Sequence, residues 1–213
     1  MNYSEITAVF GGTFDPPHLG HREAVLGLFE NPGVCRVIVI PSAIPPQKQS
    51  HVSVEHRLEM IKLCFSSTQG DVLKHEIQID PREITRAGNS GKPSYTYDTL
   101  QELKKNYEAL AFVMGSDQLK NLHTWYRYKE ILNLCHWIIL ERKNESAESS
   151  HKILSELKMD GVVVPTKAPP YSSTQIRQEI ARTGMPRENS LFPPVLTYLK
   201  ENRLYGISTL QEK

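Results

Sequence analysis

A nearly continuous apolar run, Val34–Pro41 (VCRVIVIP), constrains the fold of this chain more than any other feature of its sequence. A strand that is apolar on both faces is typical of a parallel sheet with helices packed on both sides. The next apolar residues are spaced four, three and four apart, as on one face of a helix: Val54, Leu58, Ile61 and Phe65. The chain thus passes from a buried strand into an amphipathic helix.

Strand-like and helix-like segments alternate along most of the remaining chain. Further strands are predicted at residues 6–11, 73–79, 109–114, 137–140 and 162–164. Helices are predicted at 19–30, around Leu100, Leu103, Tyr107 and Leu110, and in the polar link between the last two strands. Such alternation implies right-handed crossovers between parallel strands. The predicted fold class is α/β, with a Rossmann-like, doubly wound, mainly parallel sheet and a small C-terminal helical part. Residues 86–93 (RAGNSGKP) and 144–151 (NESAESSH) are predicted to be loops, the first of them mobile.

Length and composition bound the class of protein. A chain of 213 residues suits one domain, with a core at about 1–170 and the helical part at about 171–213. A formal net charge of +1 provides no global field to recruit nucleic acid, so local groups must bind any anion. We find no apolar span long enough for a membrane helix, and the three widely spaced cysteines are typical of core residues in a cytoplasmic protein.

A glycine- and proline-rich turn with two histidines, residues 11–21 (GGTFDPPHLGH), follows the first predicted strand. Gly11 and Gly12 allow a ligand to approach the backbone closely. His18 and His21 are three residues apart, so at a helix start they share one face. Exposed N–H groups, the helix dipole and two imidazoles would then converge on an anion. A capping role or a metal site stays open for the histidines, with Asp15 as a further metal ligand.

A second polar segment, residues 170–177 (PYSSTQIR), lies far along the chain. Ser172 or Ser173 is predicted to cap a helix. Arg177 would lie in its first turns, where the dipole disfavours a cation unless an anion lies nearby. The alternative is an ordinary capped helix with a solvated arginine.

Together these segments resemble the signatures of the nucleotidyltransferase superfamily related to class I aminoacyl-tRNA synthetases. Residues 12–21 resemble GxFxPxHxGH, and residues 171–177 resemble ISSTxIR with Tyr171 in place of the usual Ile. The resemblance implies three catalytic residues: His18 and His21 on the ATP phosphates, and Arg177 on the leaving pyrophosphate. It also implies an ATP site lined by Gly11, Gly12, Thr13, Phe14, Ser172, Ser173 and Thr174.

Segments between the two motifs resemble the nicotinate-nucleotide adenylyltransferases of that superfamily. Residues 41–48 resemble PxxxPPHK, with Gln47 in place of the histidine, which implies a contact of Lys48 with the mononucleotide phosphate. Residues 94–100 (SYTYDTL) resemble PSYTxDTL. In this segment Ser94 or Thr96 can cap a helix, and the N–H groups of Tyr95 and Thr96 could receive the nicotinate carboxylate.

Two further matches complete the resemblance on the side of the acceptor. Residues 115–117 resemble GxD, which implies that Gly115 and Asp117 lie at the nucleotides and that Asp117 binds ribose hydroxyls. Trp125, with Arg127 close behind, resembles FHxWxR, which implies stacking of the indole on the pyridine ring. Thr13 is expected to bind both ATP and the mononucleotide.

The function implied by the resemblance is transfer of AMP from ATP to nicotinate mononucleotide in NAD biosynthesis. The expected partners are ATP and nicotinate mononucleotide. Mg²⁺ is expected to be held mainly by the ATP phosphates, with no metal site of the protein itself. Binding to nucleic acid or a membrane is not expected, and a homo-oligomer stays open. Rival acceptors are phosphopantetheine, glycerol phosphate and nicotinamide mononucleotide. A non-catalytic nucleotide sensor and a tRNA-binding synthetase fragment are rivals of other classes.

Overall fold

A computed structural model describes residues 5–43, 50–65, 76–91, 93–141 and 147–208 of the chain. Its centre is a six-stranded sheet in the order β3-β2-β1-β4-β5-β6, in which every neighbouring pair is parallel. The strand order reverses between β1 and β4. The predicted α/β, doubly wound, parallel fold is confirmed.

The elements alternate as the sequence predicts. The strands are β1 (Ile6–Gly12), β2 (Val34–Pro41), β3 (Glu76–Ile79), β4 (Leu110–Gly115), β5 (His136–Glu141) and β6 (Gly161–Pro165). Within the described residues the helices are α1 (Leu19–Leu28), α2 (Val54–Phe65), α3 (Arg82–Ser90), α4 (Thr96–Leu103), α5 (Ser116–Leu119), α6 (Tyr128–Ile131), α7 (Ala147–Glu156), α8 (Ser173–Thr183) and α9 (Pro193–Glu201).

Each face of the sheet carries its own hydrophobic core, because side chains alternate along a strand. In β1, Ala8 and Phe10 join a core that also contains buried residues of α1, α2, α8 and α9. Val9, between them, faces a second core with buried residues of α4 to α7. This two-faced burial explains the nearly continuous apolar strands.

Three local predictions are wrong. Residues 86–93 are not a loop over most of their length, since α3 extends to Ser90. Residues 147–151 of the second predicted loop form the first turns of α7. The helix around Leu100 ends at Leu103, and Leu110 begins β4. In the first two cases a polar composition hides a helix that is stabilised by contacts with other elements.

The topology places a crevice where the strand order reverses, at the carboxyl ends of β1 and β4. Both predicted glycine-containing turns, after Gly12 and at Gly115, lie at these ends. The chain after β6 contributes α8 and α9, which pack on the side of the sheet that carries α1. The proposed division near residue 170 stays a prediction. None of the described helices has the length and apolar character needed to cross a membrane.

Candidate active site

The start of α1 brings the two histidines of the first motif together. His18 is the N-cap residue, and His21 lies in the first turn. Their imidazole rings stack with centroids 3.6 Å apart and an angle of 24° between the ring planes. His18 is buried and His21 is half-buried. The prediction that this pair shares one face of the helix start is therefore correct.

The two rings cap the helix start reciprocally. The N–H of His21 donates to Nδ1 of His18 at 3.3 Å, and the N–H of His18 donates to Nδ1 of His21 at 3.2 Å. A ring nitrogen that accepts a hydrogen bond carries no proton, so each neutral imidazole carries its proton on Nε2. The caps thus fix both the tautomer and the direction of two N–H donors.

Three backbone amides of this helix start are not the exposed donors that the sequence predicts. Those of His18 and His21 are bonded to the imidazoles, and the N–H of Leu19 donates to the carbonyl of Ser190 at 3.0 Å. These acceptors satisfy three of the amides that a helix start ordinarily leaves open. An anion at this site would therefore be bound by the imidazole Nε2–H groups rather than by these amides.

Close packing holds the histidine pair in place. A Cβ at Gly20 would lie 2.9 Å from Nδ1 of His18 and 2.9 Å from the carbonyl oxygen of Pro169, so this position requires glycine. Phe14 is only 2% exposed, and its ring meets the His21 ring edge-on with centroids 5.0 Å apart. The side chain of Phe14 therefore supports His21 from the core and does not line the crevice.

The start of α8 is tied directly to the first motif. Ser172 is the N-cap residue, as predicted, and its Oγ accepts from the N–H of Gln175 at 3.2 Å. The Ser173 hydroxyl donates to the carbonyl of Pro16 at 2.9 Å. Arg177 donates from Nη1 to the carbonyl of Asp15, and its Nη2 lies 3.4 Å from Oγ1 of Thr174. The fold thus places Arg177 beside the turn that carries the histidines.

A buried carboxylate, Asp15, connects these parts, and sequence reasoning did not identify this role. Its Oδ1 accepts from the Tyr205 hydroxyl at 2.6 Å. Its Oδ2 accepts from the N–H of His51 at 2.9 Å and lies 3.1 Å from Nδ1 of the same residue. Nη1 of Arg177 lies 3.9 Å from Oδ2. These partners are 36, 162 and 190 residues away, so local spacing carries no signal for them.

Arg57 is a second residue that sequence reasoning missed. Its side chain is fully buried beneath the crevice and donates to the carbonyls of Thr13 at 2.9 Å, Ser42 at 2.6 Å and Ala43 at 3.2 Å. Burial lowers its pKa, and the charge of Asp15 opposes that shift. Arg57 joins the ends of β1 and β2 and places a positive charge under the predicted phosphate site.

The carboxyl end of β4 presents Gly115 and Asp117. Gly115 is the N-cap residue of α5, and Asp117 lies exposed in its first turn. A Cβ at Gly115 would collide with Oδ1 of Asp117, so glycine permits the carboxylate to fold back over the strand end. Because β4 pairs with β1, Asp117 lies at the same edge of the sheet as Thr13.

On the other core face, α4 begins without the cap that the sequence predicts. Tyr95 is the N-cap residue, and within the described residues its side chain makes no capping hydrogen bond. The prediction of a cap by Ser94 or Thr96 is therefore wrong. Thr96 is the first helical residue and is half-buried. The first amides of α4 are thus left to bind another acceptor.

Aromatic rings surround this helix start. Trp125 is half-buried, as predicted, and meets Phe112 edge-on with centroids 5.9 Å apart. Tyr126, which sequence reasoning missed, is 49% exposed, and its ring lies 4.5 Å from that of Tyr95. The region offers flat apolar surfaces near donors of hydrogen bonds, which suits an aromatic ring with an anionic substituent.

A polar network fixes α4 against α3. The Thr99 hydroxyl donates to buried Glu83 at 2.7 Å and accepts from Arg86 at 2.7 Å. Arg86 also donates to Glu102 at 2.8 Å. Burial raises the pKa of Glu83, and the hydrogen bond from Thr99 opposes the shift. These contacts explain why residues 82–90 are helical although their sequence contains glycine, asparagine and serine.

The remaining predicted residues are placed as follows. Lys48 lies outside the described residues. The three cysteines form no disulfide; Cys64 is buried, and burial raises its pKa to about 12. Within the described residues no group of three or more His, Cys, Asp and Glu side chains could hold a metal ion. The structure therefore brings together His18, His21, Ser173 and Arg177, which are predicted to bind phosphates. Tyr95 and Thr96 lie together at the start of α4, and the ring of Tyr126, the neighbour of Trp125 in the sequence, packs on Tyr95.

Comparisons with known proteins identify the family of this chain. Residues 9–179 match the family model described as Cytidylyltransferase-like, which defines the class as a nucleotidyltransferase. A probable nicotinate-nucleotide adenylyltransferase of Shewanella sediminis is 34% identical over 92% of this chain and 96% of its own length. One of Leptospira interrogans is 35% identical over 97% of this chain and all of its own length.

A solved structure shares the fold. The Plasmodium falciparum nicotinic acid mononucleotide adenylyltransferase complexed with NaAD superposes with a TM-score of 0.74 at 20% identity, over 96% of this chain and 98% of that one. Given the full-length relatives above 30% identity, this chain belongs to the nicotinate-nucleotide adenylyltransferase family, enzymes of NAD biosynthesis.

Proposed function

We propose that this chain transfers AMP from ATP to nicotinate mononucleotide, giving nicotinate adenine dinucleotide and pyrophosphate. The observation that carries the proposal is the stacked His18–His21 pair, with both Nε2–H groups fixed by reciprocal caps, beside Arg177. Donors that are fixed before the substrate arrives stabilise developing charge without reorganisation. Family membership supports the same reaction.

The reaction needs little covalent chemistry from the protein. An oxygen of the mononucleotide phosphate, already ionised at neutral pH, forms a bond to the α-phosphorus of ATP. The bond from that phosphorus to the bridging oxygen breaks, and its electron pair leaves with pyrophosphate. Positioning and electrostatic stabilisation therefore carry most of the acceleration.

On the phosphate side, we assign the Nε2–H groups of His18 and His21 to the α- and β-phosphate oxygens. Arg177 and the start of α8, including Ser173, are assigned to the leaving pyrophosphate. The hydroxyl of Ser173 is bonded to Pro16, so its contribution at the phosphates would come from its backbone N–H. Gly11, Gly12 and Thr13 line the crevice through their backbone, with Phe14 as a support.

On the acceptor side, the nicotinate carboxylate is assigned to the amides of Tyr95 and Thr96 at the start of α4. The missing side-chain cap supports this assignment, since those first amides need an acceptor. Trp125 is assigned to the pyridine ring and Asp117 to ribose hydroxyls. The contact of Lys48 with the mononucleotide phosphate stays a prediction.

Nucleotidyl transfer from ATP generally uses a divalent metal ion, and we assign Mg²⁺. The buried carboxylate in the first motif, Asp15, already has partners on both oxygens, so the residues present fit an ion held by phosphate oxygens and water rather than by a protein cage. Such an ion would offset charge on the phosphates. A cytoplasmic location and any homo-oligomer also stay predictions.

A pyrophosphate-release assay with ATP and a panel of acceptors tests the proposal. We expect the highest kcat/KM with nicotinate mononucleotide, and a value at least about tenfold lower with nicotinamide mononucleotide, because one charge-assisted hydrogen bond is worth about 1.5–3 kcal/mol. Preference for the amide, for phosphopantetheine or for glycerol phosphate would refute it. Release with none of the acceptors would instead indicate a nucleotide sensor.

A further inference from the structure

Tyr205 reaches the first motif from near the end of the described chain. It lies in a 3₁₀ turn, Leu204–Gly206, after α9, and its hydroxyl donates to Oδ1 of Asp15 at 2.6 Å. Burial and the neighbouring Asp15 carboxylate raise the pKa of Tyr205, so the hydroxyl keeps its proton and acts as the donor.

The backbone at Tyr205 is strained. Its φ is 57°, and φ at Arg203 is 50°, so both residues occupy the left-handed region that side chains with a Cβ rarely adopt. Such conformations persist where the surrounding contacts determine them, and they are concentrated at functional sites. The contact with Asp15 is a specific reason for this one.

The two oxygens of Asp15 have different partners. Oδ1 receives the Tyr205 hydroxyl, whereas Oδ2 faces His51 and lies 3.9 Å from Nη1 of Arg177. That distance makes an ion pair but exceeds a hydrogen bond. Arg177 instead donates to the backbone carbonyl of Asp15 and keeps part of its side chain exposed. The guanidinium of Arg177 thus lies beside the Asp15 carboxylate without a hydrogen bond to it.

Loss of the Tyr205 hydroxyl would leave Oδ1 without this donor in a carboxylate that is only 3% exposed. The Nη atoms of Arg57 already donate to the carbonyls of Thr13, Ser42 and Ala43, so only its buried Nε, which has no hydrogen-bond partner among the described residues, remains as a donor on that side chain. The other nearby cation is Arg177. A turn of the carboxylate would convert the long ion pair into direct hydrogen bonds and draw the guanidinium inward.

We propose that Tyr205 is a positioning residue that holds the Asp15 carboxylate so that Arg177 stays available to the pyrophosphate part of ATP. This inference rests on the proposed role of Arg177 in ATP binding. It assigns a function in the active site to a residue that lies 28 positions beyond that arginine, outside both motifs.

A double-mutant cycle on MgATP binding tests the coupling, with calorimetry on the full chain and no acceptor present. We expect Tyr205→Phe to raise the Kd for MgATP about tenfold in the wild-type background. In an Arg177→Ala background the same change should alter Kd less than about twofold, because the residue it positions is gone. The Kd for nicotinate mononucleotide should not change.

The control is Tyr198→Phe, which removes a hydroxyl that lies 3.0 Å from Nδ1 of His56. It should leave MgATP binding unchanged. A lower Tm for Tyr205→Phe with wild-type affinity for MgATP would overturn the proposal, as would equal weakening in both backgrounds. If Arg177→Ala does not fold, the two KM values of Tyr205→Phe provide the test instead. Only the KM for ATP should rise, and an equal rise in the KM for the mononucleotide would refute the proposal.

Failure of this inference and failure of the proposed function are distinguishable. Turnover of nicotinate mononucleotide by the wild-type protein tests the function, whereas the binding cycle needs ATP alone. A wild-type enzyme that is active while Tyr205→Phe binds MgATP normally refutes only the role of Tyr205.

Discussion

The starts of α1 and α4 differ in how their first backbone amides find hydrogen-bond acceptors. At α1, the amides of His18 and His21 are bonded to the two imidazoles. At α4, the N-cap residue Tyr95 offers no side-chain hydrogen bond from within the described chain. Every helix start leaves amides to be satisfied, by side chains, water or a ligand. At α1 the two imidazoles accept from two of these amides, whereas at α4 the side chain of the N-cap residue accepts from none.

In the function proposed above, this difference lets two anions be recognised separately in one crevice. At α1 the donors offered to a ligand are ring Nε2–H groups, set in place by stacking, by Phe14 and by the close approach of Pro169 at Gly20. Such fixed donors can stabilise charge that develops at phosphorus. At α4 the donors are backbone amides, which suit a carboxylate whose charge does not change during the reaction. Catalysis and specificity are thus assigned to different helix starts.

The largest expected effect is at the start of α1. His18→Ala removes one Nε2–H donor and also the acceptor that caps His21, so kcat should fall by about 10²–10³, or about 2.7–4 kcal/mol. The measurement is steady-state pyrophosphate release with saturating substrates. His56→Ala, which removes an imidazole bonded to Tyr198, is the control and should keep wild-type kcat. Near wild-type turnover by His18→Ala would show that the His18 imidazole at the start of α1 is not needed for catalysis.

The next effect is at the start of α4 and should appear in binding. Thr96→Pro deletes one amide at the first helical position, which proline tolerates, and Tyr95 already has the extended conformation that precedes a proline. KM for nicotinate mononucleotide should rise about 10- to 100-fold, since one charge-assisted hydrogen bond is worth about 1.5–3 kcal/mol. KM for ATP should be unchanged.

The matched control for this deletion is Thr96→Ala, which keeps the amide and removes only the side chain. It should retain most of the affinity for nicotinate mononucleotide and the discrimination against the nicotinamide form. Equal losses in both variants would mean that the side chain of Thr96, not its amide, binds the acceptor. In that case the open backbone amides at the start of α4 would not explain the preference for nicotinate mononucleotide.

Much of this arrangement can be predicted from sequence, because the signals are local. Apolar runs such as Val34–Pro41 fix the strands, and the spacing of His18 and His21 places them on one face. The direction of a ring is not local: nothing in the sequence shows that each Nδ1 faces the neighbouring amide. That is why the sequence alone predicts exposed amides at the start of α1.

Local sequence patterns also cannot predict the contacts of Asp15 and Arg57. Asp15 is bonded to Tyr205, 190 residues away, and Arg57 holds the carbonyl of Thr13, 44 residues before it. Only the folded sheet brings these residues together. Helix α3 was missed for a related reason: its stability depends on Glu83 and Arg86 meeting Thr99 of α4, which outweighs a poor local propensity.

The smallest expected effect separates packing at the α1 start from helix propensity within the same helix. In Gly20→Ala the new Cβ would lie 2.9 Å from both the His18 ring and the Pro169 carbonyl, so one of them must shift. Overpacking of this kind should destabilise the fold by about 1–3 kcal/mol, and displacement of the imidazole should lower kcat about tenfold.

Gly27→Ala, near the other end of α1, meets no described atom within 4 Å. It should instead stabilise the protein by up to about 1 kcal/mol through helix propensity, with kcat unchanged. Chemical denaturation and steady-state kinetics on both variants measure the two effects. Equal stability changes of the same sign would show that the start of α1 is not held by close packing, and the fixed direction of its imidazoles would then need another cause.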